Sequence, residues 1–167
     1  GIDGWRLDVA RDVPIGFWRG WNNLVKSINP DAYIVGELWE LSPEFVAEDG
    51  VFDALMNYNF AFIVHDFFVQ DTSGSTVTQF DSKLKELREA FGEDVAFNMQ
   101  NLMNSHDATR LASAVANADG KKFGDWGQYF NWSQKSNNRN YNARKPTAEQ
   151  RQKQKLGSWH RNVSVYI

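Results

Sequence analysis

The feature that most constrains this chain is an alternation. Short apolar runs rich in β-formers are separated by segments of helical spacing, at a rhythm of roughly 30 residues per unit. "GIDGWRLDVA" reads as a strand, and after Pro14 the apolar residues Phe17, Trp21, Leu24, Val25 and Ile28 form one helical stripe. Asn29-Pro30 stops that helix, and "AYIVGELWE" supplies a second buried strand. "SPEFVAED" predicts a short helix with Ser42 as N-cap, Pro43 in its first turn and Gly50 just beyond its end. "VFDALMNYNF" predicts a third strand, and aromatic residues continue through "AFIVHDFFV". After the polar loop "QDTSGST", Phe80, Leu84, Leu87 and Phe91 mark an amphipathic helix closed by Gly92. "DVAFNMQNLMNSHD" is read as a fourth strand.

Strands and helices in this order are the signature of parallel βαβ units, so the fold class is α/β. Four strands are too few for a closed (β/α)₈ barrel, which takes about 250 residues. The chain is therefore a small open sheet or part of something larger. From Asp119 the pattern lapses into a polar, Asn-rich stretch, and 119–146 reads as a long loop of the kind that carries function or disorder. Thr147 and Gln150 make a capping box for a helix through "AEQRQKQKL", which has almost no apolar face, and "NVSVYI" alternates like a strand.

A chain of 167 residues with 42% hydrophobic and 14% aromatic content can bury a core. A net charge of -3 without a basic run argues against a nucleic-acid partner, and no apolar run reaches the roughly 18 residues of a membrane span. Without cysteine there is no disulfide, thiolate metal site or thiol redox chemistry. The chain starts at Gly1 rather than Met, which leaves localisation open.

Three carboxylates, Asp8, Glu37 and Asp107, each fall at the C-terminal end of a different predicted strand. In parallel α/β folds that is the edge where ligands bind. Taken singly, Asp8 reads as readily as a capping or loop residue, Glu37 as a solvated strand end, and His106-Asp107 as a structural hydrogen-bonded couple. Alternation places Arg6 on the face of Asp8, and a guanidinium beside a carboxylate favours the ionised form that a nucleophile needs. Glu37 lies between Gly36 and Trp39, where close backbone approach and a large ring provide the desolvation that suits a proton donor. Metal binding is the rival reading, but there is no H-E-x-x-H and no calcium-loop spacing, and His65 and His160 have no evident partner. Calcium held by loop oxygens stays open.

In order and spacing, "GWRLDVA", "GELWE" and "NLMNSHDATR" resemble three consecutive motifs of the α-amylase family of glycoside hydrolases, family 13. "VFDALMNYNF" is similar to the neopullulanase and cyclomaltodextrinase branch. The likeness covers about residues 1 to 116. It implies a fragment of a (β/α)₈ TIM barrel, strands four to seven with their helices, so that 1–167 is a partial catalytic domain with an atypical tail over 157–167. It further implies Asp8 as nucleophile, Glu37 as general acid/base and Asp107 as the residue gripping sugar hydroxyls. Arg6 would hold Asp8 ionised, and His106 and Arg110 would contact substrate. Trp39 and Tyr58 are the expected aromatic platforms, with Trp126, Tyr129 and Trp132 as candidates for a further wall; Trp5 points away from Arg6 and is assigned to packing.

The implied reaction is hydrolysis of α-glucosidic bonds in starch-like glucans or maltooligosaccharides with net retention, its two carboxyls about 5 to 5.5 Å apart. Transglycosylation through the same intermediate and a non-catalytic carbohydrate-binding role are the alternatives. No cofactor is required, structural calcium lacks a supporting motif, and a homo-oligomer is left open. Glu40, Asn59 and Ala108 stand where this branch commonly has histidine, proline and threonine. After Leu156 the "GSWHRNVSVYI" tail departs from the family pattern and suggests truncation or an out-of-frame reading near Gly157. An incomplete barrel exposes unpaired strand edges, so the chain by itself is expected to be poorly soluble or inactive.

Overall fold

The computed structural model describes residues 1–47, 50–69, 75–108 and 111. They fall into two compact units, one of residues 1–60 with 82–102 and one drawn from 61–81 and 103–167. The loop at 119–146, the helix at 147–156, the tail with His160, and Arg110 lie outside the described residues.

The first unit holds a parallel sheet of four strands in the order β1-β2-β3-β4: β1 Gly4–Leu7, β2 Tyr33–Gly36, β3 Ala54–Asn57 and β4 Gln100–Asn101. Register pairs Leu7 with Gly36, Gly36 with Leu55 and Asn57 with Asn101, so all four C-terminal ends meet at one edge. The order, direction and intervening helices are those of an arc of a (β/α)₈ barrel. Its core is β2 and β3 with what packs on them: Ile34, Val35, Leu38, Val51, Ala54 and Leu55 are all buried. Gly36 is required by a close approach, because a Cβ there would stand 2.5 Å from the ring of Phe52.

Helix α1, Ile15–Ile28, ends where Asn29 donates its amide to the Val25 carbonyl at 2.9 Å. The stripe read from the sequence is only in part the buried face: Trp21 and Val25 are half-buried. Phe17, Leu24 and Ile28 are exposed, and the helix seats Trp18 instead, whose Nε1–H donates to the Ala10 carbonyl at 2.8 Å and whose ring meets Phe52 edge-on. Apolar residues on two sides of the helix made the stripe ambiguous, and the large indole with a polar handle takes the interior. Trp5 does pack, edge-to-face on Trp21 at 5.9 Å.

Three further expectations need correction. Among the described residues of "SPEFVAED" the helical element is a 3-10 turn, Pro43–Phe45, and the Ser42 hydroxyl bonds Arg11 and the Glu40 carbonyl instead of capping. The third strand is shorter than predicted: it stops at Asn57, whose Oδ1 accepts the Phe60 amide at 3.2 Å, and helix α2, Tyr58–Phe68, begins. Of "DVAFNMQNLMNSHD" only Gln100–Asn101 is strand. Val95, Phe97 and Met99 alternate in sequence, yet after Gly92 at φ 82 the acidic pair Glu93-Asp94 opens helix α4, Glu93–Asn98, and leaves Phe97 84% exposed.

Helix α3, Val77–Phe91, follows the predicted amphipathic pattern and closes at Gly92, whose amide bonds the Arg88 carbonyl. It opens with a reciprocal box: Thr76 Oγ1 accepts the Gln79 amide and Gln79 Oε1 accepts the Thr76 amide. In the second unit Phe67 stacks on Phe80, and His65 bonds the Met103 carbonyl at 2.8 Å. A carbonyl only accepts, so His65 Nε2 carries the proton. No described helix is long and apolar enough to cross a membrane.

Candidate active site

Asp8 and Glu37 each follow directly on the paired residues Leu7 and Gly36, so the parallel register delivers both acids to the same edge. The Glu37 amide donates to the Leu7 carbonyl at 2.9 Å, and the Ala10 amide to the Glu37 carbonyl at 3.2 Å. Their environments differ sharply: the Glu37 side chain is 5% exposed and that of Asp8 is 71% exposed.

One guanidinium serves both. Arg6 Nη1 bonds Asp8 Oδ1, and Arg6 Nη2 lies 2.8 Å from Glu37 Oε2. This answers why a strand flanked by apolar residues carries Arg6: its fork compensates a buried carboxylate and an exposed one together. Glu37 Oε2 also accepts the Val9 amide at 3.0 Å, while among the described residues Oε1 accepts from Trp39 Nε1–H alone, at 3.3 Å. With Oε2 held by two donors, Oε1 is the oxygen that can exchange a proton with a ligand.

The Val9 amide reaches Glu37 because Val9 sits in the left-handed region, at φ 44 and ψ 48. A β-branched residue is rarely found there, and such strain concentrates at functional sites. Sequence reasoning missed it, since valine carries no signal for a left-handed turn. It also missed Arg11, three residues past Asp8, which bonds Glu40 and Ser42 on the loop that follows Glu37.

Trp39 and Tyr58 come together as a stacked pair, centroids 3.5 Å apart and planes 14° off parallel. Tyr58 is 1% exposed beneath Trp39, so the tyrosine offers no open face in this conformation. The two rings expected as platforms are layered on each other.

His106 and Asp107 lie in the second unit and pair with each other, Nε2 to Oδ2 at 3.0 Å. The Ser105 hydroxyl accepts the amides of Asp107 at 3.1 Å and Ala108 at 3.2 Å, which fixes the turn. Arg110 is outside the described residues. Among the described residues no three His, Asp or Glu side chains are grouped to hold a metal ion.

Comparison with known proteins gives concordant results. The chain is 42% identical over 121 residues to neopullulanase 2 of Thermoactinomyces vulgaris, covering 72% of this chain and 20% of that protein. It is 43% identical over 122 residues to a cyclomaltodextrinase of a Bacillus species, covering 73% and 21%. Among solved structures, the Nostoc punctiforme debranching enzyme superposes with a TM-score of 0.65 at 32% identity, over 71% of this chain and 27% of that one. The chain thus spans about a fifth of the length of the curated relatives it matches. Residues 1–141 match the model of the α-amylase catalytic domain, and with parallel strands that bring Asp8 and Glu37 to one edge, this chain belongs to the α-amylase family.

Proposed function

We propose that the protein carrying this chain hydrolyses α-glucosidic bonds in α-glucans or maltooligosaccharides by a retaining double displacement. The observation that carries the reading is the single Arg6 guanidinium bonded to both carboxylates at adjacent strand ends. A shared cation supports the close spacing of a retaining pair, about 5 to 5.5 Å, over the ~6.5–9.5 Å of an inverting pair that must admit a water.

Asp8 is the nucleophile. Arg6 occupies its Oδ1, leaving Oδ2 to attack the anomeric carbon. Glu37 is the acid/base: Oε1 gives its proton to the glycosidic oxygen as that bond breaks, then takes one from the water that hydrolyses the glycosyl ester. Trp39, stacked on Tyr58, is the aromatic platform assigned to a sugar ring, and its indole N–H keeps the Glu37 carboxyl aimed. By their place in the family motif, Asp107 and His106 are assigned to sugar hydroxyls and Arg110 to substrate contact. Neopullulanase and cyclomaltodextrinase among the relatives support glucan as the substrate class.

The test is trapping in the intact protein that carries this sequence. A 5-fluoroglycosyl fluoride of the α-gluco series is expected to leave a covalent glycosyl adduct on the peptide containing Asp8, detected by intact mass and peptide mapping. An adduct on another carboxylate removes Asp8 from its role, and inverted anomeric stereochemistry of the released product removes the mechanism.

A further inference from the structure

Beyond the acids themselves, the two loops that bear them are tied together by one side chain the reaction does not consume. Arg11 leaves the 3-10 turn Ala10–Asp12, which follows Asp8. Its Nε meets Glu40 Oε1, and its Nη2 meets both the Ser42 hydroxyl and, at 3.4 Å, Glu44 Oε1. Its guanidinium carbon also stands 5.4 Å from the centroid of the Phe45 ring. These four partners are the loop that begins at Glu37 and carries Trp39. The far end of that loop is immobilised: Ser42 and Phe45 are buried, and the Ser42 hydroxyl donates to the Glu40 carbonyl at 3.2 Å.

We infer that Arg11 is a positioning residue for the acid/base step: it staples the loop after β2 to the turn after β1, fixing Trp39 and Glu37 against Asp8. The inference rests on the proposed hydrolysis. An arginine suits the task because its planar fork bonds a carboxylate and a hydroxyl at once while its face lies over a ring. Without it, Glu40 and Glu44 lose the cation they share, and among the described residues the loop keeps the Ala10–Glu37 backbone bond and the Val9–Glu37 bond to the turn after β1. A small displacement of Trp39 then misplaces Glu37 Oε1, and misplacement of about 1 Å can cost 10²-fold in rate.

Leaving-group dependence separates this role from simple destabilisation. The bond to fluoride breaks without protonation, whereas a sugar leaving group needs the acid. In the intact protein, Arg11→Ala is expected to lower kcat/KM on maltotriose or a longer maltooligosaccharide by about tenfold or more. On α-maltosyl fluoride, where kcat/KM covers binding and attack by Asp8 but no proton transfer, the loss is at least severalfold smaller than on the oligosaccharide. Arg11→Lys keeps a charge beside Glu40 and Glu44 but loses the fork, and falls between. Equal losses on both substrates in both variants, or no loss on the oligosaccharide, overturn the inference while leaving the hydrolase reading intact. A wild-type protein that turns over neither substrate overturns the hydrolase reading and this inference with it.

Discussion

The rim where β1 and β2 end and the turn at 104–108 each present an acid, but they hold it by different means. Glu37 is buried and accepts hydrogen bonds from Arg6, Val9 and Trp39, donors from three points along the chain. The Asp107 side chain is 44% exposed, and the hydroxyl of Ser105, two residues before it, accepts the amide of its turn. Glu37 is thus held from across the sheet by Arg6 and Val9, where the Ser105 bonds to the turn are local. Chemistry that moves a proton through a desolvated carboxyl belongs in the first kind of setting, and a group that meets substrate hydroxyls works in the second.

The largest effects should separate the two acids of the rim from each other. Asp8→Asn removes the attacking oxygen and is expected to lower kcat at least about 10⁴-fold on every substrate, as for other enzymes that lose a covalent nucleophile. Glu37→Gln removes the proton shuttle, costing about 10²–10⁴-fold on oligosaccharides and far less in kcat/KM on a glycosyl fluoride. If both variants lose the same factor on both substrates, the division of labour between exposed and buried acid fails.

Stability gives the next contrast. Arg6→Ala strands Glu37 as a buried carboxylate without its cation, a change that costs 3–5 kcal/mol at fully buried pairs; Arg6 is 34% exposed, so about 2 to 3 kcal/mol is expected here. His106→Ala breaks a hydrogen-bonded pair at the surface and should cost under about 0.5 kcal/mol. Chemical denaturation of the intact protein measures both, and comparable losses would erase the distinction between rim and turn.

How far these regions were legible in the sequence follows the same line. Period-2 alternation put Arg6 beside Asp8, and Gly36 and Trp39 pointed to a desolvated setting for Glu37; Arg6 bonds Asp8, and Glu37 is buried with the Trp39 indole N–H on its carboxyl. What stayed hidden depends on competition between residues far apart. Nothing local tells Val9 to adopt a left-handed backbone, because the reason is an acceptor 28 residues away. Ser42 reads as a helix cap until Arg11 takes its hydroxyl, and Phe17, Leu24 and Ile28 read as a buried stripe until Trp18 finds the Ala10 carbonyl. Tyr58 looks like an open platform until Trp39 lies over it. The Val95, Phe97, Met99 alternation fits a strand, and the glycine–acid junction before it turned the chain into helix.

A smaller effect tests the local character of the turn. Ser105→Ala leaves the amides of Asp107 and Ala108 without their acceptor, and the loss of such a cap costs about 1 kcal/mol. The expected signature is a rise in KM with kcat on glycosyl fluoride nearly kept, because Asp8 and Glu37 are untouched. A drop in kcat as large as that of Glu37→Gln would place the turn inside the proton-transfer machinery.

The most subtle difference is one of pH. Burial, only partly offset by the bond to the Met103 carbonyl, holds the His65 imidazole below the usual histidine value, so the folded protein keeps it neutral where an unfolded chain binds a proton. The unfolded state therefore binds more protons below about pH 6.5, and stability rises with pH in that range. The contribution of His65 is complete above about pH 6.5 and is lost as pH falls from there through the folded value. His65→Gln can still donate to the Met103 carbonyl but does not titrate, so its denaturation midpoints between pH 7.5 and 5 should decline less than those of the wild type. Since Met103 leads into the segment of His106 and Asp107, acid should also loosen the amides of 103–108 before those of Val9 and Glu37, read as hydrogen exchange corrected for intrinsic pH dependence. Parallel midpoint curves for the two proteins would show that another group sets the acid limb, and uniform loosening would show that the turn is not the more weakly held of the two regions.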